Sequence, residues 1–146
     1  VFTLVSSAAR VASGNSGDLN QSNTTGFKPE RTLGAILVLT VSVAATDAGD
    51  TLDVYVQNSI DAGATYDDFI HFTQVLGNGG AKTFVAKWHR DLTPERELGA
   101  IQDAAMAAGV NQGVVGPNWR VKWVIVDAGT VNVSFTFKVE MLPIYR

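Results

Sequence analysis

His71 and His89 are the two side chains of this sequence best suited to moving a proton or binding a metal. A zinc or catalytic centre needs ligands that converge, and no His-x-x-x-His or comparable spacing links the pair. His71 shares its parity with Phe69, Thr73 and Val75, which places it at a sheet surface or in a satisfied hydrogen bond. His89 follows Trp88 at a strand end, beside Arg90 and Asp91. Gly14-Asn15-Ser16-Gly17 misses the Gly-x-Ser-x-Gly nucleophile elbow by one residue and precedes no amphipathic helix, so it reads as a tight polar turn. Gly77-Asn78-Gly79-Gly80 lacks the Lys-Ser/Thr and the helix start of a phosphate loop, and reads as a hairpin loop. Two acidic groups, Asp47/Asp50/Asp53 and Asp61/Asp67/Asp68, could offer oxygens to Ca²⁺, but neither has calcium-loop spacing; solvated turn acids are expected. Glu95, Glu97 and Glu140 give no sign of two acids facing across a glycosidase cleft. The expectation is no enzyme, no cofactor and no metal.

Aromatic residues offer a different chemistry, the stacking of sugar rings. Tyr55, Tyr66, Trp88, Trp119 and Trp123 are the candidates. Trp119 and Trp123 share a parity with Val121 and Ile125 and are assigned to the core. Tyr55 lies opposite in parity to Val54 and Val56 and is the better exposed contact; Tyr66 sits in a turn.

The elements that must position these residues read as strands. In 118–142, Trp119, Val121, Trp123 and Ile125 share one parity with Arg120 and Lys122 between them, and after the Asp127-Ala128-Gly129 break Val131, Val133, Phe135, Phe137, Val139 and Met141 alternate with polar residues. A period of two makes a half-buried antiparallel sheet, and the short break predicts a hairpin. Further strands are expected at Phe2–Val11, Leu33–Ala45, Leu52–Gln57, Asp68–Leu76 and Thr83–Trp88, with Leu33–Ala45 central and covered on both faces. Residues 14–32 form a polar arm or long loop. Thr93-Pro94-Glu95, followed by Leu98, Ile101 and Ala105, predicts one short helix inside an insertion at 89–117. The fold class is therefore all-β, a single jelly-roll-like antiparallel sandwich over 1–146.

Composition agrees. The chain has 146 residues, 46% of them apolar and 17% charged, as a folded domain does. A net charge of −3 without a basic run argues against a nucleic-acid partner. With no cysteine there are no disulfides or thiolate metal sites. The longest apolar run, Leu33–Ala45, falls short of the roughly 18 residues of a membrane helix, so no membrane partner is expected. Residues 1–14 lack the basic start of a signal peptide and read as part of the mature chain.

Four stretches carry a resemblance: Ser-Ser-Ala-Ala-Arg-Val-Ala-Ser-Gly-Asn-Ser-Gly-Asp at 6–18, Thr-Leu-Asp-Val-Tyr-Val-Gln-Asn-Ser-Ile-Asp-Ala-Gly-Ala-Thr-Tyr-Asp-Asp at 51–68, Trp-Arg-Val-Lys-Trp-Val at 119–124 and Val-Ser-Phe-Thr-Phe-Lys-Val at 133–139. Together they resemble a group of small virion proteins of tailed bacteriophages, over most of the chain except 89–117. The resemblance implies a non-enzymatic capsid decoration (cement) protein on the exterior of a virion assembled in the host cytoplasm. Its implied partners are the major capsid protein and its own copies, with a trimer favoured. A tail or baseplate adaptor of the same fold and a carbohydrate-binding module using Tyr55 and Tyr66 remain as alternatives. For capsid contact the candidates are the arm 14–32, anchored by Phe27 and Pro29, and the insertion 89–117. The arm either orders on a partner or folds back on its own domain.

Overall fold

The computed structural model describes residues 1–20, 25–90, 103–109, 116–129 and 131–146, with residue 30 described for its backbone alone. Among the described residues nine strands form: β1 (Phe2–Arg10), β2 (Gly14–Asn15), β3 (Thr32–Val43), β4 (Thr51–Ser59), β5 (Asp67–His71), β6 (Val75–Leu76), β7 (Lys82–His89), β8 (Asn118–Val126) and β9 (Phe135–Tyr145). A four-stranded sheet has the order β1-β9-β3-β7, and a five-stranded sheet the order β2-β8-β4-β5 with β6 paired to β4. All the pairings are antiparallel. With β6 set aside, this interleaving of early and late strands across two sheets is the jelly-roll order, an architecture that closes two Greek keys over one core.

Alternation fills that core. Leu37, Leu39 and Val41 from β3 and Phe135, Phe137, Val139 and Met141 from β9 meet Leu52, Val54 and Val56 from β4. At one end the rings of Phe27, Phe69, Trp88 and Trp119 pack edge to face, with centroids 4.8–5.9 Å apart. Such aromatic contacts add about 1 kcal/mol each beyond burial.

Three expectations change. First, β8 and β9 do not form a hairpin, because they lie in different sheets. The chain after β8 steps to the other sheet, tied to the β3–β4 turn by Ala128 N–H donating to Asp50 Oδ1 (3.0 Å) and Val131 N–H to Asp47 Oδ2 (3.1 Å). Gly77-Asn78-Gly79-Gly80 likewise joins β6 and β7 across the two sheets, with Asn78 and Gly80 at φ 57° and 71°.

Second, the strand covered on both faces is β4, buried from Leu52 to Ser59, while β3 sits centrally with Ile36, Val38 and Thr40 half-exposed on its outer side. Third, the expected strand Asp68–Leu76 is two pieces. It carries a bulge: Gln57 pairs with Asp68 and Val56 with Ile70, so Phe69 is the extra residue. The bulge turns Phe69 and Ile70 both inward and separates His71 from the parity of Phe69.

Of the two readings of 14–32, the described residues follow the second and fold back on their own sandwich. Gly14 and Asn15 pair with β8, Leu19 exchanges two backbone hydrogen bonds with Trp119 (2.7 and 2.9 Å), and Phe27 is buried against Phe2 and Trp119. Residues 21–24 lie outside the described residues. The expected helix falls mostly there too, since 91–102 are not described. Its tail, 103–109, consists of bends and a turn, with Ala104 at φ 58° and Gly109 at φ 76°.

Candidate functional site

The densest group of polar side chains stands on the outer face of the five-stranded sheet. Period-two alternation sends Asp53, Tyr55 and Gln57 of β4 outward, opposite Arg120 and Lys122 of β8. The bulge in β5 adds Asp68 and His71 to the same face, paired with Gln57 and Tyr55. Segment 103–109 lies over them, which is why these side chains are buried rather than wet.

Asp68 anchors the cover. It is fully buried, and its carboxylate accepts hydrogen bonds from Gln57 Nε2 (2.7 Å) and from three successive backbone N–H groups, Ala104 (3.1 Å), Ala105 (2.9 Å) and Met106 (3.0 Å). Consecutive amides turned to one side, with Ala104 in the left-handed region, make an anion-binding nest. Asp103 adds a more exposed tie, accepting from Gln57 Nε2 and Lys122 Nζ, both at 2.8 Å. Hydrogen bonds from Lys122 and Gln57, then the charges of Lys122 and Arg120, outweigh burial and lower its pKa.

His71 sits at the far end of the group. Its Nε2 is 2.9 Å from Asp53 Oδ1 and its Nδ1 is 2.6 Å from the Met106 carbonyl oxygen. Its ring stacks on Tyr55 with centroids 4.0 Å apart. Gln74 Nε2 donates to Asp53 Oδ2 at 2.8 Å, which favours the ionised carboxylate. Burial alone would lower the His71 pKa, but the hydrogen bonds to Asp53 and Met106 and the charges of Asp53 and Asp68 outweigh it, and the net shift is upward. Asp53 shifts down: burial opposes this and is outweighed by its bonds to His71 and Gln74 and by the His71 charge. Burial first, then the charges of Asp53 and Asp68, pushes Tyr55 up to about 12, so it stays neutral.

This arrangement has the parts of an acid–base couple but not its freedom. General acid–base chemistry needs a ring nitrogen within reach of a substrate proton, and both nitrogens of His71 are engaged inside the protein. A pocket of about 420 Å³ opens alongside, between β5 and β7, lined by Ile70, His71, Phe84, Ala86, Lys87 and Gly109 among others. Among the described residues no group of three metal-ligating side chains occurs, and every buried side-chain nitrogen or oxygen has a hydrogen-bond partner.

The remaining sequence candidates are dispersed. His89 is exposed at the end of β7, and Asp50 is buried at the β3–β4 turn. Asp61 organises its own turn, accepting from Ser59 Oγ (2.6 Å) and from Thr65 N–H and Oγ. Glu140 pairs with Lys138 at 2.8 Å, and residues 95 and 97 lie outside the described residues.

The four residues expected at an interface are all buried, which corrects their assignment. Phe27 and Pro29 pack inward because the arm closes one end of the core. Tyr55, expected to be exposed, is 6% exposed because 103–109 and His71 cover it. Tyr66 is equally buried, with Arg120 stacked over its ring at 3.6 Å and its hydroxyl donating to Asp18. Trp88 and Trp119 are core, and Trp123 is half-buried. These rings offer no sugar-stacking platform.

What sequence reasoning missed is the partnership of Asp53, Gln57, Asp68 and His71 with residues 103–106. One signal existed, the polar outward set on β4, but no local pattern says what covers it. Among known proteins, the chain matches no family model, no curated protein and no solved structure.

Proposed function

We propose that the protein is a structural virion component of a tailed phage that decorates the capsid exterior by binding the major capsid protein. One observation carries this reading: the outer face of the four-stranded sheet presents a contiguous apolar centre to solvent. Ile36 and Val38 of β3 lie between Val85 of β7 and Leu142 and Ile144 of β9, the last three 48–57% exposed. Lys87, Thr83, Thr3 and the Lys138–Glu140 pair surround them. Apolar patches with polar rims mark protein contact surfaces. The resemblance to phage virion proteins adds a choice of partner, and the jelly roll is an architecture used in capsid proteins as well as in lectins. Fold alone does not choose between those. The burial of Tyr55 and Tyr66 weighs against the lectin-like alternative. Self-association as a trimer belongs to the same reading, since it suits threefold points of a lattice.

The test is attachment of purified protein to heads that lack it, with wild type compared against the double variant Val85→Lys, Leu142→Lys. Wild type should saturate the heads at a regular high copy number, and the variant should fail to attach while melting as wild type does. Equal attachment by the variant overturns this face as the contact. Recovery of a few copies on tails instead of heads selects the tail-adaptor alternative.

A further inference from the structure

We propose that His71 is a pH-operated latch: its imidazolium ties segment 103–109 to the outer face of the five-stranded sheet, and loss of one ring proton as pH rises loosens that segment. The geometry carries the argument. A backbone carbonyl can only accept, so Nδ1 must bear a hydrogen to bond Met106 at 2.6 Å. An ionised carboxylate can only accept, so Nε2 must bear one to bond Asp53 at 2.9 Å. Both contacts are satisfied together by the charged ring. A neutral ring keeps one hydrogen and gives up either the tie to Met106 or the pair with Asp53.

The position of these bonds makes the proton matter to the segment. Met106 is held at both of its backbone polar groups, its N–H by Asp68 and its carbonyl by the His71 ring. Gly109 N–H then bonds the His71 carbonyl oxygen at 2.9 Å, so one residue of β5 holds the cover at two points. Among the described residues, the titratable groups set against His71 are Asp53 and Tyr55 from β4 and Asp68 from β5; Lys122 of β8 pairs with Tyr55, Asp103 of the segment bonds Lys122, and Lys87 of β7 lines the same pocket as His71. Tyr55 stays neutral over the working range, and Asp53 and Asp68 both favour the charged ring. The sign follows: a histidine whose pKa rises on folding contributes fully below its ordinary value of about 6.5 and loses that contribution as pH climbs through the folded value.

The experiment is NMR on the full ¹⁵N-labelled chain, following the His71 ring nitrogens and the amides of Ala104, Ala105, Met106 and Gly109 from about pH 5 to 10. Both ring nitrogens should be protonated at about pH 6, and the amides should shift on the same curve as the ring. Hydrogen exchange at 104–106, corrected for its intrinsic pH dependence, should accelerate by roughly tenfold or more relative to β3 and β9. His71→Gln should flatten this response. Asp53→Asn, which removes the charge but keeps the shape, should move the ring's midpoint to lower pH and serves if His71→Gln does not fold. A neutral ring at pH 6, a ring that does not titrate by pH 10, a titration the 103–109 amides ignore, or an unmoved midpoint in Asp53→Asn each overturns the latch.

Discussion

The two outer faces of the sandwich invert the usual distribution of side chains. The four-stranded sheet turns Val85, Leu142 and Ile144 to solvent, whereas the five-stranded sheet buries Asp53, Gln57, Asp68 and His71 under a segment of the same chain. Alternation assigns Val85, Leu142 and Ile144, and likewise Asp53 and Gln57, to the outside of their strands, and the β5 bulge adds Asp68 and His71. Whether an outward side chain meets water, a partner or the chain itself is a separate question, and here the two sheets answer it differently. The buried face is fully hydrogen-bonded, as burial of charge requires. Among the described residues nothing lies over the open apolar face, which is why it supports a contact function.

The comparison can be broken hardest at its shared core. Phe27→Ala removes the ring that seals one end beneath the five-stranded sheet, and should cost about 3–5 kcal/mol in urea unfolding. Deleting residues 14–32 should leave no folded protein, since it also strips β2 and the Leu19–Trp119 bonds. A deletion that melts as wild type and merely detaches from heads would restore the free-arm picture.

Asp68→Ala tests the covered face. It deprives three backbone amides and Gln57 of their acceptor and should cost about 2–3 kcal/mol, with exchange protection lost at 104–106 and kept in β3 and β9. Uniform loss across the molecule would show that the cover is not a separable unit.

Stability against pH should then distinguish the faces by a smaller margin. The His71 contribution fades as pH rises through its elevated folded value. That of Asp53, whose pKa is lowered, is present above the ordinary carboxylate value and fades as pH falls through its folded value. Chemical denaturation should therefore find this pair strongest between about pH 4 and 6.5, and His71→Gln should remove the alkaline shoulder. Least of all, Val85→Lys and Leu142→Lys should each shift stability by no more than about 0.5 kcal/mol, because they alter an open surface.

Much of the fold was legible as period-two patterning. Leu37, Leu39 and Val41, Phe135, Phe137, Val139 and Met141, and Leu52, Val54 and Val56 all point inward as their spacing says. Trp119 joined the core for the same reason. The candidate site was legible only in fragments: Asp53, Tyr55 and Gln57 as an outward set, and His71 as a residue in a satisfied hydrogen bond. The Phe69 bulge hid the rest, because one extra residue reverses parity without changing composition.

Side-chain alternation is a property of neighbouring residues, written into a strand before it meets any other, so the sequence by itself determined the dry faces of β3, β4 and β9. Pairing is a property of distant residues. The short Asp127-Ala128-Gly129 break is compatible with a turn back onto β8 or a step to the opposite sheet, and only the competition of β1 and β3 for β9, together with Asp47 and Asp50 holding the link, decided for the second. The tertiary structure likewise decided that Asp68 would be neutralised by the amides of residues 104–106, some 36 to 38 positions along the chain. A buried carboxylate must find donors wherever the fold brings them, and no local rule names them in advance.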